Sequence, residues 1–382
     1  MEVIFIIRAF KIRLHPTKKQ EQLLFQSAGT SRFIYNWTLA RQIENYNSGG
    51  KFISNNNLRK EITILKKTDL SWLNQVSNNV AKQAVKDACE AYVKFFKGKN
   101  GFPNFKSKKN SKKSFYNDNT KLKVKTEQVL LEKVGYIKTS EQIPIGVNYT
   151  NPRISFDNKY WYISVGVDQP PIVQKLNKEL TIGIDVGIKD LAICSNGMTF
   201  KNINKSKKVK KINKRLKGLQ KQVSRKYDKN KIKKGGENCY QFKKTKNITK
   251  LEKQIKLVYR KLAMIRNNHL HQATNKIVKA KPSKVVMETL NIKGMMKNKH
   301  LSKAIATQRL SEFKRQMQYK CEFNGIEFVE ADKWFPSSKT CSECGHIKKA
   351  LKLSERVYIC EECGCVIDRD LNASINLSRY SA

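Results

Sequence analysis

Two CxxC pairs near the C-terminus, Cys341-Ser-Glu-Cys344 and Cys360-Glu-Glu-Cys363, stand fifteen residues apart and restrict this chain more than any other feature. Four thiolates at C-x₂-C-x₁₅-C-x₂-C spacing match a tetrahedral Zn²⁺ shell. Gly345 and Gly364 follow the two pairs, where the tight knuckle turns of a metal ribbon need backbone freedom. A shell filled by four sulfurs leaves no position for water, so the spacing predicts one structural zinc. Cys365 is a fifth thiol that a closed shell has no use for. The remaining cysteines, Cys89, Cys194, Cys239 and Cys321, are scattered. That pattern reads as buried thiols in a reducing compartment rather than as a disulfide framework.

Charge narrows the partner. Lys and Arg number 77 against 31 Asp and Glu, a formal net charge of +46, whereas a magnitude of roughly 2–8 keeps a small domain soluble. An excess of this size calls for a polyanion, and nucleic acid is the expected class. Residues 201–250 concentrate it, with 20 Lys and Arg against Asp228 and Glu237. We read this stretch as a phosphate-tracking surface. Hydrophobic residues at 39% suffice for a core, which argues against wholesale disorder. No apolar run approaches the roughly 18–20 residues of a membrane span. Residues 1–8 lack a basic segment ahead of a long apolar one, so no signal peptide is expected and the cytoplasm is the expected compartment.

Along the chain, residues 3–14 read as a strand ending at His15-Pro16. Thr17 is placed to cap a helix, and further helical patterns follow at 31–46, 56–65 and 79–97. The aromatics of the last, Tyr92, Phe95 and Phe96, are expected in its core. Strand patterns return at 124–131, 135–139 and in a hairpin around Asp157-Asn158-Lys159. The simplest architecture is a small barrel or sheet with helices inserted into it. A three-stranded meander over 181–200 follows, then two basic helices with a loop over 225–237 that contains Gly235-Gly236. A strand at 283–290, a helix at 303–324, a strand at 326–331 and a final helix near Asp370 complete the order. That sequence of elements is the order of an RNase H-like α/β fold.

Three acids stand at the ends of these elements. Asp185, Glu288 and Asp370 lie 103 and 82 residues apart, each closing an apolar strand or opening a helix. A carboxylate on a buried strand is costly unless a cation meets it. Three brought together would hold hard divalent cations, Mg²⁺ or Mn²⁺, suited to phosphodiester hydrolysis. Asp185 could equally be a turn residue and Asp370 an N-cap. Asp368 rivals Asp370, and Glu330 and Asp332 are weaker rivals.

Several longer motifs point to a family. Ala9-Phe-Lys-Ile-Arg-Leu-His-Pro16, Ser31-Arg-Phe-Ile-Tyr-Asn-Trp37, Gly101-Phe-Pro-Asn-Phe-Lys106, Gly183-Ile-Asp-Val-Gly187, Phe335-Pro-Ser-Ser-Lys-Thr-Cys341 and Asp368-Arg-Asp-Leu-Asn-Ala373 together resemble TnpB. TnpB proteins are transposon-encoded RNA-guided DNA nucleases, relatives of the compact type V CRISPR effectors. The resemblance covers about residues 8–378. It implies a wedge-type β-barrel over 1–15 and 109–178, interrupted by a helical recognition domain at 16–108. A RuvC nuclease domain is implied at 179–336 and 367–382, with the zinc ribbon inserted at 337–366. A guide RNA from the transposon end, a double-stranded DNA target beside a short adjacent motif, and a monomeric ribonucleoprotein are implied with it. So are two Mg²⁺ ions, or Mn²⁺, at one site made by Asp185, Glu288 and Asp370; the Asp-x-Asn match favours Asp370 over Asp368. Cys365-Val-Ile stands where relatives often carry a His. A guided repressor without cleavage, or an unguided transposase or resolvase of RNase H fold, remain the alternatives.

Overall fold

The computed structural model describes residues 6–233, 240–352 and 354–381. The start of the expected first strand (Val3–Phe5), the Gly235-Gly236 turn and Cys239 lie outside them. The chain forms two compact units, Met1–Pro170 and Pro171–Ala382.

The first unit opens with strand β1 (Ile6–His15), followed by helices α1 (Lys18–Asn47), α2 (Asn55–Leu65) and α3 (Asn78–Phe96). Strands β2 (Lys113–Tyr116), β3 (Lys123–Lys125), β4 (Gln128–Leu131), β5 (Gly135–Thr139), β6 (Tyr149–Phe156) and β7 (Trp161–Gln169) complete it. All seven strands join one sheet in the order β2-β6-β7-β1-β5-β4-β3. β1 is thus interior to the sheet, and the helices are an excursion between it and its neighbours. Ile12 and Leu14 of β1 are buried, Arg13 between them is half-buried, and Lys11 and His15 on either side are exposed, the period-two signature of a strand with one packed face. The sheet ends on two different strands, β2 and β3, so of the barrel or sheet expected it is, among the described residues, an open half-barrel sheet.

Three local expectations change here. The helices expected on either side of Ser31 are one 30-residue helix, opened by a capping box between Thr17 and Gln20. Gly29 within it sits in open space and costs only helix propensity. The strand expected over 124–131 is a hairpin, β3–β4, turned at Glu127 with φ +52°, a position that no Gly or Pro marks. Of the α3 aromatics Tyr92 is buried, but Phe96 is 63% exposed, in a cleft it shares with Phe52 and Phe102.

The second unit begins with the meander β8 (Asn177–Val186), β9 (Asp190–Cys194) and β10 (Thr199–Lys201). Helix α4 (Lys207–Lys229), the short strands β11 (Lys231–Lys233) and β12 (Tyr240–Phe242), and helix α5 (Lys246–Lys279) follow. Then come β13 (Pro282–Glu288), helices α6 (Ile292–Met295), α7 (Ser302–Gln308) and α8 (Leu310–Phe323), and β14 (Glu327–Ala331). Strands β15 (Val357–Ile359) and β16 (Val366–Asp368) lead into the last helix, α9 (Arg369–Ser378). The central sheet runs β10-β9-β8-β13-β14, with the meander antiparallel and β8, β13 and β14 mutually parallel. One face, through Ile182, Ile184, Val285 and Met287, packs on Leu270 and Ile277 of α5 and Phe313 and Met317 of α8. The other face, through Val286, meets Leu377 of α9.

The basic helices are amphipathic: Val209, Leu216 and Leu219 of α4 pack on Val258 and Leu262 of α5, leaving the lysines in solvent. The loop expected over 225–237 is shorter, because α4 continues to Lys229 and β11 pairs with β12. The helix expected at 303–324 is two, broken at Arg309, whose φ of +62° is left-handed. Among the described residues no helix is long and apolar enough to cross a membrane.

Candidate active site and metal centre

Strand alternation places two of the acids. Ile182 and Ile184 point into the α5–α8 core, so Gly183 and Asp185 face the opposite side. In the parallel pair Gly183 is level with Val286 and Ile184 with Met287, which brings Glu288 beside Asp185 at the C-terminal ends of both strands. Crevices at such strand ends are where open α/β sheets place their ligands.

The third acid arrives on α9. A Cβ built on Gly183 would come within 2.0 Å of the Ser374 carbonyl oxygen and 2.3 Å of the Ser378 nitrogen, so only glycine lets this helix lie against the sheet. The rival Asp368 is the N-cap: its Oδ1 accepts from the amides of Asp370 (3.0 Å) and Leu371 (3.1 Å). Asp370 is therefore a first-turn residue and not the cap. Its carboxylate accepts from the Arg369 guanidinium at 3.2 and 3.3 Å, and Arg356 approaches to 3.7 Å. Glu330 pairs instead with Lys314, and Asp332 accepts from the Trp334 amide at 2.7 Å.

The electrostatics are those of acids crowded away from water. Burial, then the charges of Glu288 and Asp370, push the Asp185 carboxyl well above its ordinary range. Burial likewise pushes Glu288 up to about 7, although the Val186 amide holds it down. Asp185 and Asp370 line one cavity of about 360 Å³ with Lys189, Ser338, Arg356 and Arg369. Glu288 lines a second, of about 440 Å³, and the two share Val186 and Leu310. Among the described residues the four cysteines are the group whose ligand atoms all lie within 4.8 Å of one another. The carboxylates interact, since the charges of Glu288 and Asp370 both act on Asp185.

The cysteine cluster is built by two knuckles and a short hairpin. Cys341 and Cys363 bring their sulfurs to 3.6 Å, and Cys344 and Cys360 to 3.5 Å. Gly345 (φ +79°) and Gly364 (φ +69°) take the left-handed turns that let the Cys341 and Cys360 amides donate to His346 and Cys365 carbonyls. Buried Tyr358 underlies the cluster and donates its hydroxyl to the Lys339 carbonyl at 3.0 Å. The side chain of Cys365 packs against this small core, while its carbonyl closes the second knuckle. No disulfide joins any of the described cysteines. Burial pushes the Cys194 and Cys321 thiols up to about 12, as expected of inert core sulfur.

Sequence reasoning missed Gly183 as the residue that seats α9, although its place two residues before Asp185 was visible. Asn372 was visible as the Asn of the Asp-x-Asn match, but not its place, fully buried where α9 meets the cysteine ribbon.

Three family models match the chain: "Cas12f1-like, TNB domain" over residues 311–377, "Probable transposase" over 163–299, and "Helix-turn-helix domain" over 1–51. Within the last, the described residues form β1 and an unbroken α1, not two helices joined by a turn. A "Putative RNA-guided DNA endonuclease" of Streptomyces pristinaespiralis is 30% identical, covering 97% of this chain and 88% of the relative. Another, InsQ of Escherichia coli, is 27% identical over 97% of this chain and 91% of its own. Two solved structures share the fold. A Cas12f1–sgRNA–target DNA complex has a TM-score of 0.54 at 15% identity, covering 98% of this chain and 99% of that one. The mini RNA-guided endonuclease Cas_phi3 has a TM-score of 0.50 at 11% identity, covering 99% and 92%.

Proposed function

We propose that this chain, which belongs to the TnpB family of transposon-encoded RNA-guided DNA endonucleases, cleaves double-stranded DNA at one RuvC-type site made by Asp185, Glu288 and Asp370. The observation that carries the site is the convergence of two half-buried strand-end acids with a third on α9, which leaves Asp185 pushed well above its ordinary range. A divalent cation offsets that cost, and the hard oxygen donors suit Mg²⁺ or Mn²⁺. Two such ions, when bound, supply an activated water and stabilise the leaving oxygen of a phosphodiester. The chain's own groups prepare the site. Partial burial desolvates Asp185 and Glu288, and Arg369 and Arg356 hold the Asp370 carboxylate. The four cysteines would hold one structural Zn²⁺, since their sulfurs already crowd into a single closed cluster.

The remaining parts follow the same reading. The seven-stranded sheet is assigned to residues 1–15 and 109–178 as the wedge, with the helical recognition domain at 16–108. The nuclease domain takes 179–336 and 367–382, and the ribbon 337–366. A guide RNA from the transposon end supplies sequence by pairing. The +46 charge grips the A-form heteroduplex through its backbone, in a monomeric ribonucleoprotein acting in the cytoplasm. A guided repressor is disfavoured because all three acids are present.

The test is cleavage by the copurified ribonucleoprotein, whose RNA is sequenced to define the target. Asp185→Ala, Glu288→Ala and Asp370→Ala should each abolish Mg²⁺-dependent cutting while guided binding persists. A variant that still cuts removes its residue from the site.

A further inference from the structure

The cysteine ribbon and the acidic site are joined by more than chain connectivity. Strand β16 runs straight into α9, and Asp370 lies in the first turn of that helix. One half-turn further, Asn372 is fully buried and both ends of its amide are used. Its Oδ1 accepts from the Ser342 amide at 2.9 Å, and its Nδ2 donates to the Thr340 carbonyl at 2.7 Å. Asn376, one turn on, donates to the carbonyls of Ser337 (2.8 Å) and Thr340 (2.6 Å). The Arg379 guanidinium donates to the Ser342 carbonyl. These partners belong to the first cysteine knuckle: Thr340 precedes Cys341, and Ser342 lies between Cys341 and Cys344.

We propose that Asn372 is a positioning residue that transmits the folded, metal-bound state of the cysteine knuckle to Asp370. This rests on the reading of Asp185, Glu288 and Asp370 as the metal site. The physical argument is one of rigidity. From one side Gly183 lets the later turns of α9 (Ser374, Leu377 and Ser378) lie on the sheet. Its first turn, which bears Asp370, is beyond that contact. The Asp368 cap, the Arg369 amide on the Arg356 carbonyl (2.9 Å) and the exposed Arg356 pair hold it at its start, and the buried contact that fixes its rotation is the knuckle bonded to Asn372. A helix end fixed at only one point frays. A buried amide with two short backbone bonds does not slide without leaving both partners unsatisfied. The ribbon therefore orients a ligand of the acidic site while contributing no ligand itself, as outer partners of metal sites do.

The experiment uses the full ribonucleoprotein with Asn372→Asp and Asn372→Ala. Asn372→Asp keeps the acceptor for Ser342 and removes the donor to Thr340, so it is the variant expected to remain folded. Zinc content, target-DNA binding, Mn²⁺ binding followed by electron paramagnetic resonance, and single-turnover cleavage at saturating DNA are measured together. We expect one zinc retained and DNA binding unchanged. Mn²⁺ affinity and cleavage rate should each fall by about 10- to 100-fold, the range seen for outer partners of metal ligands. Unchanged Mn²⁺ affinity and cleavage rate in Asn372→Asp would overturn the proposal. So would loss of zinc, because Asn372 would then be holding the ribbon together and not linking it to the acids. Asp185→Ala runs alongside: if it still binds Mn²⁺ and cuts as wild type, the metal-site reading fails, and the coupling with it. If Asp185→Ala is inert and Asn372→Asp behaves as wild type, only the coupling fails.

Discussion

Gly183 and Ser374 lie in such close apposition that a single methyl group at residue 183 would come within 2.0 Å of the Ser374 carbonyl oxygen. A backbone-to-backbone seat of this kind between a central strand and a helix brings Asp185 and Asp370, from distant parts of the chain, into one cavity.

Gly183→Ala should therefore destabilise the protein by about 1–3 kcal/mol, the cost of overpacking against backbone that has nowhere to move. It should lose cleavage as α9 is displaced. Gly187→Ala is the control, since its Cβ would meet nothing closer than the Asp190 carbonyl at 3.4 Å. Thermal unfolding and cleavage assays on both variants check this, and equal Tm values for the two would contradict it.

Asp368 and Asp370 should separate cleanly by phenotype. Asp368→Ala removes a cap that satisfies two amides and should cost about 1 kcal/mol, with cleavage reduced but measurable. Asp370→Ala should leave stability nearly unchanged and abolish cleavage. Reversed behaviour would move the third acid to Asp368.

Lys320 predicts a pH dependence away from the acidic site. It lies buried between α5 and α8, donating to the His271 carbonyl (3.1 Å) and the Thr274 hydroxyl (2.6 Å). Burial lowers its ammonium from 10.5 to about 8. Between those values the unfolded chain binds more protons than the folded one, so this group adds stability as pH rises from about 8 to 10.5. His271, Glu312 and Arg315 face the same region, and Glu312 is held near 2, chiefly by its hydrogen bond from Arg315, so it does not titrate in this window. Denaturant midpoints for wild type and Lys320→Met at pH 8 and 10 should diverge in slope; parallel curves would refute the assignment.

The exposed lysines of α4 should appear in the salt dependence of nucleic-acid binding. Replacing Lys210, Lys211, Lys214 and Lys217, all exposed, by Gln should flatten the plot of log affinity against log salt by up to about four units of slope. An unchanged slope would mean that this face carries no phosphate.

How much of this was legible in the chain varied with the range of the interaction. The cysteine spacing was, because both knuckles are set within a few residues and their glycines announce the left-handed turns. The meander, β13 and the capping of α1 by Thr17 were legible for the same reason. The turn at Glu127 and the helix break at Arg309 were not, because neither is one of the residue types that readily take a left-handed conformation, and so neither marks its own turn. The open edges of the first sheet were equally hidden, since closure depends on which strands find each other and not on their composition.

By itself, then, the sequence determined the kinds of groups present: a four-thiolate cluster, three acids at element ends, and a charge suited to a polyanion. Which acids meet was decided by the register of β13 on β8 and by the bare backbone at Gly183. These are contacts between segments 103 and 191 residues apart in the chain. Local spacing carries chemistry because neighbours cannot escape one another. Convergence of remote side chains depends on a packed core to hold the strands and helices that bear them in register.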